Sequence, residues 1–192
     1  MPHVMVDLET MGTGPTAPIV AIGACSFNAT RVVSLFYVPV SLASSVKAGA
    51  KIDPDTVIWW LGQSGKARAA LTGGVDLVQA LRRFTDWCDN LSPEGVIGMW
   101  GNGATFDNVI LDTAYKAVDV PRPKGWTYKT DRCYRTVRAM FPGVPMDDVG
   151  VAHHARDDAE AQARHLLKIN RKYGEFLVPG EAQMVLPLTG SL

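Results

Sequence analysis

Asp7 and Glu9 in VMVDLET, Asp107 in TFDNVIL, and His153 with Asp158 in HHARDDAEA are of types that can hold divalent cations and move a proton. Carboxylates offer hard oxygen ligands. Histidine titrates near neutrality, so it suits a base. Carboxylates delivered from three separate elements can converge on two metals, the arrangement a two-metal nuclease needs to stabilise attacking and leaving oxygens. Each piece also has a plainer reading. Asp7-x-Glu9 alone describes a polar strand end. Asp107 alone describes an acid in the first turn of a helix, held by the helix dipole. Asp157 and Asp158 alone describe dipole partners at the start of another helix. Helical rotation of about 100° per residue separates these two, so only one faces any given site. Asp112 is five residues beyond Asp107 and faces elsewhere.

The elements that must position these residues follow from the hydrophobic pattern. Val4–Asp7 reads as a short buried strand, in which Asp7 and Glu9 share a face. Ile19–Phe27 and Arg31–Val40 read as strands two and three, joined by a turn at Asn28-Ala-Thr, which suggests an antiparallel meander. Ser41–Lys51 is a connector of helical or irregular character. Asp53-Pro54 starts a helix carrying Trp59 and Trp60 and stopping near Gly62. A short helix follows at Lys66–Leu71. Asp76–Leu91 has apolar residues at 77, 78, 81, 84, 87 and 88, which predicts an amphipathic helix. Val96–Trp100 reads as a buried strand. Thr105–Val118, Asp131–Phe141 and Ala155–Tyr173 read as helices, with His153 in the loop before the last. The expected class is α/β: a mixed sheet, antiparallel meander plus parallel strands, flanked by helices.

Composition bounds the rest. The 192 residues suffice for one domain, expected over 1–177, with a tail over 178–192 docked on the body or on a neighbour. Hydrophobic residues make up 47% and charged residues 20%, as in a water-soluble globular protein. Lys+Arg and Asp+Glu both total 19, so there is no basic excess; bound cations would have to neutralise phosphate. Cys25, Cys88 and Cys133 are far apart, and no secretory leader or membrane span is read, so a reduced, cytoplasmic location is expected.

Taken together the motifs resemble the DEDDh branch of the DEDD exonuclease superfamily (DnaQ-like, RNase T-like). VDLETMGTGP is similar to its D-x-E-T-x-G segment, and HHARDDAEAQA to its H-x-A-x-x-D-A motif. GNGATFDNVIL resembles the H-N-x-x-F-D segment, with Asn102 and Gly103 in the first two places. A further stretch, DTVIWWLGQSGKAR, looks like that of phage and prophage exonuclease VIII-like or exonuclease A-like proteins. The resemblance spans roughly Val4 to Tyr173 and implies a ribonuclease H-like fold. It implies two Mg2+ or Mn2+ ions, with Asp7 bridging both, Glu9 and Asp158 completing the first site and Asp107 holding the second through water. It implies His153 as base, 3′–5′ polarity, nucleoside 5′-monophosphate products and a homodimer in many relatives.

The same resemblance brings Leu8, Thr10, Met11 and Phe106 to the terminal nucleotide, although Leu8 and Met11 read equally well as core. Of Trp59 and Trp60, about 100° apart on their helix, one is expected in the core and one beside substrate, where stacking on a base is worth about 1–3 kcal/mol. Gln63 is a candidate base or sugar contact. Arg132, Arg135 and Arg138 recur every three residues, as either a solvated face or a guide for the phosphate backbone; Arg135 is the candidate contact. The Trp-Trp-Gln segment favours single-stranded DNA 3′ ends over RNA ends. Competing readings are an RNase T-like exoribonuclease, a non-catalytic nucleic-acid-binding module and an enzyme of small phosphoesters.

Overall fold

The VMV run makes the central strand of the sheet and the IVAI run one of its two neighbours. The computed structural model describes residues 2–69, 71–95, 98–174 and 176–177. Strands β1 (His3–Thr10), β2 (Ile19–Phe27), β3 (Val32–Pro39), β4 (Gly98–Gly101) and β5 (Asp131–Cys133) form one sheet in the order β3-β2-β1-β4-β5. The pairs β1–β2 and β2–β3 are antiparallel; β1–β4 and β4–β5 are parallel. The sheet is therefore the expected mixture of meander and parallel strands.

Helices α1 (Leu42–Lys47), α2 (Pro54–Leu61), α3 (Gly65–Ala69), α4 (Leu77–Leu91), α5 (Val109–Val118), α6 (Tyr134–Met140) and α7 (Ala155–Tyr173) flank it. Strand alternation assigns the faces. Val4, Val6 and Leu8 of β1 pack with Leu81, Phe84 and Cys88 of α4 and Ile110, Leu111 and Tyr115 of α5. Met5 points the other way, to Ala159, Ala163 and Leu166 of α7 and Tyr134 of α6. Two helix starts follow local chemistry: Asp53 accepts the N–H of Asp55 ahead of Pro54, and Asp76 accepts that of Val78.

Two expectations need adjusting. The helix expected over Asp131–Phe141 begins at Tyr134, because Asp131, Arg132 and Cys133 instead pair with Met99, Trp100 and Gly101 as β5. Tertiary pairing decides the conformation of so short a segment. The segment expected to be helical from Thr105 opens with a single π turn, Ala104–Asn108, before α5. The connector Ser41–Lys51 holds α1, capped by Ser41. The fourth buried strand runs over Gly98–Gly101; the part expected at 96–97, like the tail over 178–192, lies outside the described residues.

Candidate active site

The odd-numbered residues of β1 face α7, so Asp7 and Glu9 come out on the same side as Met5. α7 closes on them because Gly23, the β2 partner of Asp7, has no side chain: a Cβ there would lie 2.0 Å from the carbonyl carbon of Ala155. That close approach brings the first turn of α7 over the end of β1. Oxygens of Asp7, Glu9 and Asp158 then lie within 4.8 Å of one another. One turn further along α7, Gln162 donates from Nε2 to Asp7 Oδ1 at 2.7 Å.

Asp107 reaches the cluster from the opposite side of β1. Its Oδ1 accepts the Leu8 N–H at 3.2 Å, and the residue is only 2% exposed. The π turn carrying it lies against β4 because Gly101 leaves room; a Cβ there would meet Asn108 Oδ1 at 2.3 Å. Asn108 fixes the turn by donating to Met99 O at 3.0 Å and to Asp131 Oδ1 at 2.7 Å. The unforeseen β5 therefore helps to hold Asp107 in place.

His153 sits in the turn before α7 with φ of 60°, in the left-handed region that costs a non-glycine residue about 1–3 kcal/mol. Its N–H donates to Asp158 Oδ2 at 3.0 Å. The next acid holds the same turn from behind: Asp157 accepts the Val151 N–H at 2.9 Å and pairs with Arg156 at 2.8 Å. The two adjacent aspartates thus face different ways. The His153 ring stands edge-on to Trp59 and Trp60, with centroids 5.1 and 6.4 Å away. Trp60 is buried and donates its indole N–H to Thr10 O at 2.9 Å, whereas Trp59 is 47% exposed.

These residues line one cavity of about 790 Å3. Asp7, Leu8, Glu9, Thr10, Trp59, Trp60, Phe106, Arg135, His153 and Asp158 are in its wall, and Asp107 is buried behind it. Met11 and Gln63 are not in the wall. Gln63 turns back to donate to Trp59 O at 3.1 Å, a bond its own helix offers nearby. Met11 is tied through its backbone to Pro18 and Asp53. Gln162 is in the wall although the motifs did not single it out; its position four residues after Asp158, on the same helical face, was the available signal.

Burial and mutual repulsion dominate the electrostatics. Burial, then Asp158 and Asp107, raise Glu9 from an ordinary 4.5 to about 8. Burial raises Asp107 to about 7, against the opposing pull of the Leu8 N–H. Burial and the neighbouring Asp107, Glu9 and Asp158 push Asp7 well above the carboxylate range, and burial raises Asp158 despite its bond from His153. Glu9 Oε1 and Asp107 Oδ2 are buried without a hydrogen-bond partner among the described residues. Buried carboxylates that repel one another and keep unpartnered oxygens fit a divalent cation, and an all-oxygen donor set suits Mg2+ or Mn2+.

The chain is similar to known proteins in fold and in sequence. The fold is similar to the nuclease domain of 3′hExo, a DEDDh family member bound to rAMP, with TM-score 0.64 and 16% identity over 91% of this chain and 94% of that one. It is also similar to S. pombe Pop2p in its Mg2+ and Mn2+ bound form, with TM-score 0.61 and 13% identity over 91% and 84%. At these identities the likeness is one of fold. In sequence, the chain is 28% identical over 120 residues to an exodeoxyribonuclease of Enterobacteria phage T4, covering 56% of this chain and only about half, 52%, of the phage protein. A family model, the 3′–5′ exoribonuclease Rv2179c-like domain, matches residues 2–170, and the chain belongs to this family of 3′–5′ exonucleases.

Proposed function

We propose that the chain removes nucleotides one at a time from the 3′ ends of single-stranded nucleic acid, releasing nucleoside 5′-monophosphates, with DNA preferred over RNA. The observation that carries this reading is the convergence of Asp7, Glu9 and Asp158 within 4.8 Å in the wall of a cavity, with Asp107 buried beside them. Asp7, Glu9 and Asp158 would hold one Mg2+ or Mn2+, and Asp7 with Asp107 a second. When bound, the ions neutralise phosphate charge and lower the pKa of water. His153 takes the proton of the attacking water. The Asp158 carboxylate fixes the backbone of that histidine, and the edges of Trp59 and Trp60 restrict its ring. Gln162 orients the Asp7 carboxylate that would hold metal, by its bond to Oδ1. Trp59, half out of the wall, offers a base a stacking face.

The DNA preference is supported by the phage relative, named an exodeoxyribonuclease. The family name, an exoribonuclease domain, favours RNA as the second reading. Strands of one sequence as DNA and RNA, 5′-labelled and incubated with Mg2+, Mn2+ or EDTA, separate them. The expected result is a metal-dependent ladder shortening from the 3′ end, faster for DNA. Faster RNA shortening overturns the preference, and no shortening of either overturns the reading. Buried Cys25 and Cys88, far apart and joined in no disulfide, support the proposed cytoplasmic location, and no helix among the described residues is long and apolar enough to cross a membrane.

A further inference from the structure

A second cavity, of about 550 Å3, adjoins the first; Arg135, Arg138 and Met146 belong to the walls of both. One wall is α6, where Arg135 and Arg138 stand nearly one turn apart. The opposite wall is the strap Val144–Met146. Three other arginines are committed: Arg122 to Asp112, Arg156 to Asp157 and Arg164 to Glu160. The side chains of Arg135 and Arg138 are exposed, and no ion pair joins either to an acid among the described residues. Two uncommitted guanidinium groups leading away from a cluster of acids are placed to bind phosphate diesters.

The strap is held firmly. Tyr134 Oη lies 2.7 Å from His165 Nδ1, and His165 Nε2 lies 2.8 Å from Val144 O. Because a carbonyl only accepts, Nε2 carries a proton and donates to Val144 O, while the Tyr134 hydroxyl donates to Met146 Sδ of the strap at 3.2 Å. Lys168 donates to Pro145 O at 3.1 Å and to Asp147 at 2.9 Å. Both walls of the groove are therefore pinned, one through Tyr134 of α6 and one through α7, so it exists before any ligand arrives.

We propose that this groove is a second binding site, for the phosphodiester backbone of the single strand upstream of the nucleotide being removed. The proposal rests on the exonuclease reading above. Arg135 lies near the cluster, since its charge also acts on Asp107, and takes the nearer phosphate. Arg138 takes the next one out. Pro142, Val144, Pro145 and Met146 give the outer wall an apolar surface for the sugars.

The test is hydrolysis of a dinucleotide and of a hexanucleotide by the wild type and by Arg138→Gln, with Arg171→Gln on α7 as an outlying control. Arg138→Gln is expected to lower kcat/KM for the hexanucleotide roughly tenfold, the size of one lost charged contact, and clearly less for the dinucleotide. For the hexanucleotide bound without metal, the slope of log K against log salt should become shallower by about 0.7, one phosphate on a single strand. Equal losses at both lengths, or an unchanged slope, would overturn the groove while leaving the exonuclease reading intact. Wild-type protein that cleaves neither substrate would instead remove that reading and the groove with it.

Discussion

The contact between β1 and α7 has two ends built from the same geometry and opposite chemistry. At one end Met5 meets Ala159, Ala163 and Leu166, all inaccessible to solvent. At the other, Asp7 and Glu9 meet Asp158 and Gln162. The first end stabilises the fold by burying apolar surface. The second opposes it, since buried carboxylates of like charge resist ionisation. A strand and a helix that cohere at one end can thus force acids together at the other. The difference teaches where stability and activity should separate on substitution.

Asp7→Asn should show the largest effect, loss of turnover by orders of magnitude, read by the labelled-strand assay. Appreciable activity in a pure sample would show that the acid end is not the site. His153→Ala should reduce kcat by roughly 10²–10⁴, as for loss of a general base. A kcat near wild type would take the proton-transfer role from His153. In the apolar end, Leu166→Ala should cost about 2–5 kcal/mol in denaturant unfolding, with full specific activity in the fraction that stays folded. Trp59→Ala should weaken binding of a single strand by about 1–3 kcal/mol, whereas its half-exposed side chain contributes little to stability. Unchanged affinity would leave Trp59 only as a wall for His153.

A separate effect is a pH dependence confined to the acid end. Glu9 and Asp107 are raised in the folded protein to about 8 and about 7. Between their ordinary values and these, the unfolded chain gives up its protons more readily than the folded one. Their contribution to stability is therefore fully present below pH 4 and lost as pH rises through 7 to 8. Metal-free protein should melt progressively lower across that window, and Glu9→Gln should flatten the upper part. A melting temperature that climbs steadily through it would contradict the assigned repulsion.

The two ends were not equally legible in the sequence. Period-two alternation put Asp7 and Glu9 on one face, and helical rotation separated Asp158 from Asp157, because both rules are local. The meander and the amphipathic α4 announced themselves in the same way. β5 did not: Asp131, Arg132 and Cys133 carry no strand pattern, and pairing with Met99–Gly101 makes them a strand. Gln162 has its partner 155 residues away, so only its place on the Asp158 face hinted at a role. Gln63 lies outside the cavity wall because a donor near the end of a helix finds a carbonyl of its own helix first.

Melting of wild type and Asp7→Asn in EDTA and in Mn2+ tests the central claim most directly. The variant keeps the oxygen that accepts from Gln162 while losing one charge from the cluster. In EDTA it should melt no lower than wild type, since no ionised group is lost that stabilises the fold. Mn2+ should raise the wild-type melting temperature and leave that of the variant nearly unchanged. A variant that melts well below wild type in EDTA, yet is stabilised by Mn2+ as strongly, would mean that Asp7 serves the fold and that the cation binds elsewhere.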